Sequence, residues 1–157
     1  MLNEFGQMSD QSNDSPIDVI ARDCIAVRVR LLNRVITNLY DDALRPFGLK
    51  VSQLNILVAT AKLGVARPAA VCEILHLDAS TLSRNVERMR ASGWLEVVPD
   101  DDARAQPFRL TSAGKSLLRR IVPAWEMAQQ KAHDLLDEEG VAALKKAVKR
   151  VGGMRSA

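Results

Sequence analysis

Leu77-Asp-Ala-Ser-Thr-Leu-Ser-Arg-Asn-Val-Glu-Arg-Met-Arg-Ala-Ser-Gly-Trp-Leu-Glu96 is the stretch on which the fold turns. Asp78 is a strong N-cap and Gly93 a helix stop, so the spacing predicts a helix over about 79–92. Ala79, Leu82, Val86 and Met89 form one apolar stripe that would pack inward. Ser80, Thr81, Arg84, Glu87 and Arg88 face away from it, with Ser83 and Asn85 at the flank. Upstream, Pro68 opens a shorter helix, about 69–76, and only Leu77-Asp78 separates the two, which is helix-turn-helix spacing. No glycine stands at that turn. Downstream of Gly93 the apolar period becomes two. Residues 94–98 read as a strand, 99–103 as a polar turn and 106–110 as a returning strand. Pro107 lacks a ladder donor, which places the returning strand at a sheet edge. A helix-turn-helix followed at once by a hairpin is the winged-helix arrangement.

Outward from this centre the chain is helical. Apolar residues from Ile20 to Tyr40 recur on more than one face and predict one helix over about 17–44, ended by Pro46 and Gly48. Such a helix is about 42 Å long, too long for a domain of this size to cover, so a second chain is expected to bury part of it. Ser52 is expected to cap a helix over 53–63 closed by Gly64. Thr111 caps a long helix over 112–135 with a kink at Pro123, and Asp137 caps a last one over 138–151. The fold class is therefore mainly α with a small β-hairpin wing (α+β). Residues 1–15 read as a disordered tail, 16–151 as one domain and 152–157 as a frayed end. Within that domain the winged-helix core spans about 50–111, between flanking helices of about 17–46 and 112–151.

Composition narrows the function. The chain has 157 residues, 47% hydrophobic and 26% charged, an ordinary globular balance. No apolar run approaches the ~18 residues of a membrane span, and the N-terminus shows no secretory pattern, so a cytoplasmic protein with no membrane partner is expected. Residues 1–18 carry −4, from Glu4, Asp10, Asp14 and Asp18; against a net +3 for the chain, that leaves +7 on the other 139. A basic body suggests an anionic partner, nucleic acid before membrane. There is no Gly-rich phosphate loop, no HExxH pair and no G-x-S-x-G elbow, and two histidines leave little for acid–base work, so an enzyme is not expected.

The helix over 79–92 has the chemistry of a recognition helix. Short hydroxyls near its N-terminus can meet phosphates or bases, and Arg84 and Arg88 can reach guanine edges or phosphates in a major groove. A solvated surface helix would show a similar face. The neighbouring helix and the basic hairpin, with Arg104 and Arg109, favour DNA, because a basic wing tip fits the negative minor groove.

These residues resemble the MarR family of regulators. The stretch 77–96 is similar to that family's recognition helix and first wing strand. Asp102-Ala-Arg104, followed after five residues by Leu110-Thr111-Ser-Ala-Gly114, resembles its wing and next helix. Tyr40-Asp-Asp-Ala-Leu-Arg-Pro-Phe-Gly48-Leu and Gln53-Leu-Asn-Ile-Leu57 fit upstream, so the resemblance covers about 20–150. It implies a homodimeric bacterial transcription regulator, often a repressor, on a pseudo-palindromic operator in double-stranded DNA. Dimerisation would run through the N- and C-terminal helices. Carried over by position, Ser80, Thr81, Ser83, Arg84, Asn85 and Arg88 would face the major groove. Arg104 would enter the minor groove, oriented by Asp102 through a charge-assisted hydrogen bond; Asp102 is otherwise a plain turn former. The alternative is a winged-helix module that contacts protein and not DNA.

Family members release DNA when a small effector binds or a cysteine is oxidised. Cys24 is the candidate redox sensor. Arg22 and Arg28 nearby could lower its pKa, although Tyr40 is the only tyrosine and a packed cysteine is more often inert. Ile121, Trp125, Met127 and Leu135 could line an effector pocket or a dimer core. Cys72 and His76 lie four apart, short of the three or four ligands zinc wants, so no metal and no cofactor are expected.

Overall fold

The computed structural model describes residues 15–102 and 105–153. The elements run α1 (Pro16–Asp23), α2 (Ile25–Leu44), a 3₁₀ turn (Arg45–Phe47), α3 (Val51–Leu63), β1 (Val65–Ala66), α4 (Pro68–Leu75) and α5 (Ala79–Ala91). Then follow β2 (Leu95–Val97), β3 (Phe108–Leu110), α6 (Ser112–Arg120) and α7 (Val122–Gly153). This is a mostly helical chain with a small antiparallel sheet, ordered β1-β3-β2. Its packing divides after Val35 into two units. Among the described residues no helix is long and apolar enough to cross a membrane.

The first unit differs from the expected single helix. Ser15 caps α1 reciprocally with Asp18. The helix then breaks at Cys24, whose backbone is extended (φ −64°, ψ 109°). The Cys24 carbonyl accepts from the Arg28 guanidinium at 3.1 Å. No proline or glycine marks this break. Ile25, Val27 and Val29 are β-branched and weak helix formers, and α1 buries no residue that would hold a straight helix across it. Ile17, Ile20, Ile25, Val29 and Leu31 are all exposed.

The second unit holds the winged helix. Gly48 turns the chain in the left-handed region (φ 66°) after the 3₁₀ turn. The expected cap at Ser52 is displaced. α3 begins at Val51, whose N–H donates to Asp41 Oδ1 at 2.7 Å, so a carboxylate ten residues back caps the helix. The Lys50 N–H donates to Gln53 Oε1. Leu54, Ile56 and Leu57 of α3 pack with Leu44, Val71, Leu82, Met89, Phe108 and Leu117 into one core. Fully burying such side chains stabilises by about 1.5–3 kcal/mol each.

The sheet corrects two expectations. Residues 65–66, read as a link, form β1, paired through Val65 with Arg109 and Ala66 with Phe108. β3 is therefore central and not an edge strand. Pro107 is compatible with this because the ladder starts one residue later, at Phe108, and Pro107 contributes only its carbonyl, which accepts the Val98 N–H at 2.8 Å.

Thr111 caps α6 by accepting the Gly114 N–H at 3.0 Å, and its hydroxyl donates to the Gly93 carbonyl at 2.6 Å. The Thr111 N–H donates to the Trp94 carbonyl at 3.1 Å. Gly114 is buried against that same carbonyl. The expected kink at Pro123 divides the helix at Ile121, between α6, which stops at Arg120, and α7, which starts at Val122. Ile121 itself keeps helical backbone (φ −80°, ψ −13°), its N–H donating to the Leu117 carbonyl and its carbonyl accepting the Trp125 N–H. Pro123 cannot donate to the carbonyl four residues back, so the ladder lacks that bond. α7 is interrupted at Asp137 (φ 54°, ψ 177°), whose carboxylate accepts the Gly140 N–H at 2.8 Å.

Candidate nucleic-acid interface

α5 follows α4 through a turn of three residues. In the absence of a glycine, His76 itself takes the left-handed conformation (φ 52°), which costs about 1–2 kcal/mol for a residue with a Cβ. Asp78 then caps α5. Leu82 and Met89 are buried and Val86 half-buried, so this stripe seats the helix. Ala79, expected on the stripe, is exposed at the first helical position.

The six α5 candidates divide into two sets. Asp78 gathers the first. Its Oδ1 accepts the Thr81 N–H at 2.7 Å and the Ser80 hydroxyl at 2.6 Å, and its Oδ2 accepts the Thr81 hydroxyl at 2.7 Å. Asn85 donates from Nδ2 to the Thr81 carbonyl at 2.9 Å. Ser80, Thr81 and Asn85 thus use donors within the helix. Their acceptor lone pairs remain for a partner's donors. The carboxylate also occupies the helix terminus expected to attract phosphate, and offsets its positive end. The second set is Ser83, Arg84 and Arg88, all exposed. Among the described residues neither arginine makes an ion pair. Arg90 is held by Glu87 at 3.4 Å.

These hydrogen bonds hold the Asp78 carboxyl well below the usual carboxylate range. Its folded pKa is depressed, so its contribution to stability is present above the unfolded value of about 3.9 and is lost as pH falls further. Asn caps helices nearly as well as Asp but does not titrate. Asp78→Asn is therefore expected to retain α5 at neutral pH and to lose stability less steeply than the wild type below about pH 4. Thermal unfolding across that range checks it; identical acid limbs for the two proteins would remove Asp78 from this role.

In the wing, Arg109 and Glu96 face each other across β3 and β2 and pair at 2.7 Å. Arg109, expected to add free positive charge, is therefore neutralised. Arg67 pairs with Asp100 at 2.7 Å, a contact the sequence did not suggest. Asp102 is exposed, and its N–H donates to Asp100 Oδ1. Arg104, the expected minor-groove residue, lies outside the described residues.

Cys24 is half-buried at the break between α1 and α2. Arg28 engages its carbonyl and not its sulfur, and Arg22 pairs with Asp23 at 3.2 Å. Cys72 and His76 are not joined by further ligands, and among the described residues no three His, Cys, Asp or Glu side chains group as a metal site. Ile121 and Trp125 line a mostly apolar cavity of about 670 Å³ with Leu54, Val58, Leu63 and Lys62. Met127 and Leu135, expected with them, are exposed elsewhere on α7.

Residues 47–105 match the model of the MarR family. The multiple antibiotic resistance protein MarR of Salmonella typhimurium is 24% identical over 78% of this chain and 87% of its own length. An HTH-type transcriptional regulator of Bacillus subtilis, YwoH, is 25% identical over 68% of this chain and 78% of its own. A crystal structure of a mutant MarR from Escherichia coli complexed with operator DNA superposes with a TM-score of 0.75 at 21% identity, covering 85% of this chain and 96% of that one. The helix-turn-helix, the capped α5 and the three-stranded sheet lie within or beside the stretch that matches, so over residues 47–105 the chain is similar to the MarR family, and its fold is that of the solved MarR structure.

Proposed function

We propose that this protein is a transcription regulator of the MarR kind, a cytoplasmic homodimer that binds a pseudo-palindromic operator, represses from it, and leaves it when a small molecule binds. The observation that carries the reading is the exposed face of α5, where Ser83, Arg84 and Arg88 stand beside a wing and, among the described residues, neither arginine makes an ion pair. Arg84 and Arg88 reach base edges or phosphates, Ser83 a phosphate, and Ser80, Thr81 and Asn85 accept from base amino groups. Asp102 and Arg104 serve the minor groove. The exposed apolar residues of α1 and α2, and separately Leu144, Val148 and Val151 of α7, supply surfaces for a second copy. The cavity lined by Ile121 and Trp125 is the place for an apolar effector. Two recognition helices one helical turn of DNA apart, about 34 Å, then set the half-site spacing.

Light scattering is expected to give twice 17.3 kDa at micromolar concentration; a monomer of 17.3 kDa overturns the dimer. Binding to the DNA upstream of the protein's own coding sequence, against random DNA, is expected to fall steeply with salt and to keep a preference of about 10³ or more. Weak binding without preference favours the protein-contact alternative.

A further inference from the structure

We propose that Asp100 is a positioning residue for the wing, clamping the loop at 99–102 to the start of α4 through Arg67. The proposal rests on the DNA-binding reading. Arg67 is fixed on both sides: Ala66 is paired into the sheet, and the Arg67 carbonyl accepts the Val71 N–H, opening α4. Asp100 sits beyond the last ladder residue of β2, in a loop with no strand to hold it. Its two oxygens are used differently. Oδ2 accepts from the Arg67 guanidinium at 2.7 Å, and Oδ1 accepts from the Asp102 N–H at 3.0 Å. The Asp102 carbonyl in turn accepts the Ala105 N–H at 2.9 Å. The chain from Arg67 to Asp100 to Asp102 thus runs from the helix-turn-helix to the base of the wing tip. The Asp100 side chain is only 18% exposed while Arg67 is 62% exposed, so the carboxylate is the sheltered anchor.

The sign of the effect separates this role from simple electrostatics. Asp100 is one of three consecutive carboxylates beside a surface meant for a polyanion, so removing a negative charge there should tighten DNA binding. A clamp predicts the reverse. Asp100→Ala is expected to weaken operator binding about three- to fivefold, as expected for one ion pair of this exposure. Arg67→Gln should match it, and the double variant should be no worse than either single one. Asp101→Asn, a neighbouring exposed carboxylate, should leave binding unchanged or tighter. In the DNA-free protein, hydrogen exchange at the Asp102 amide should quicken about tenfold or more in Asp100→Ala and stay unchanged in Asp101→Asn. The thermal midpoint should move by no more than about 2 °C, which excludes unfolding as the cause.

Tighter or unchanged operator binding by Asp100→Ala, or an unaltered Asp102 amide, overturns the clamp. Additive losses from the two substitutions would instead make Arg67 a DNA contact in its own right and overturn it as well. The exchange measurement needs no DNA. If the wild type binds none, the DNA reading fails, while the amide still decides whether Asp100 holds the loop.

Discussion

Replacing Arg84 and Arg88 together by alanine is expected to weaken operator binding by about 100-fold or more. Each good base-edge contact contributes on the order of 1–3 kcal/mol. Both side chains are exposed on α5, and neither is drawn off by a carboxylate among the described residues, in contrast to Arg67, Arg90 and Arg109. The charge they offer DNA is therefore not first spent within the protein. The single variants assign the roles. A loss confined to the operator marks a base reader, whereas an equal loss on random DNA, with a shallower salt slope, marks a phosphate contact. Anisotropy titrations on both DNAs at several salt concentrations read the two together. A double variant that binds the operator as the wild type does would remove α5 from recognition.

The second large effect falls on stability. Gly→Ala in a helix ordinarily stabilises, by about 1 kcal/mol. Gly114→Ala is expected to do the opposite and to destabilise by about 3 kcal/mol, the upper end of the cost of overpacking. Gly114 lies in the first turn of α6, buried against Trp94 just before β2, and a Cβ there would sit far inside van der Waals contact with the Trp94 carbonyl oxygen and close to Leu110. The obstacle is backbone, and that same oxygen accepts the Thr111 N–H. Neither side can give without loosening the cap of α6 or the end of β2. Urea denaturation with an unchanged m-value would register the loss as a shift in midpoint. A stabilised variant would show that α6 can move away from the wing at little cost.

The features legible in the sequence were those set by local chemistry. Asp78 and Thr111 as caps, Gly48, Gly64 and Gly93 as stops, and the stripe through Leu82 and Met89 follow from residue type and spacing alone, and the structure has each of them. What escaped depended on partners far along the chain. Val65–Ala66 is too short to show a period, and becomes a strand only because β3 lies beside it. The cap of α3 comes from Asp41, ten residues upstream, so the nearer Ser52 looked sufficient. Pro107 was informative about its own missing donor but not about where the ladder begins. The break at Cys24 has no breaker residue. On α5, residue types showed a polar face but not that Asp78 would engage the donors of Ser80 and Thr81. The pairing of Arg67 with Asp100 joins residues 33 apart, beyond the reach of any spacing argument.

The strand order has a consequence for how the chain is made. β1 and β2 both hydrogen-bond to β3 and not to each other. During synthesis, which proceeds at about 5–20 residues per second from the N-terminus, the whole of α4 and α5 emerges before the strand that completes their sheet. A nascent chain that ends before Phe108 carries two short strands with open edges and lacks the Phe108 ring that fills the core. The helix-turn-helix of this protein is thus not a portable fragment. A stalled or truncated product that contains every residue of α5 would still lack the sheet and the core residue on which that helix is seated, so partial chains would not compete for the operator.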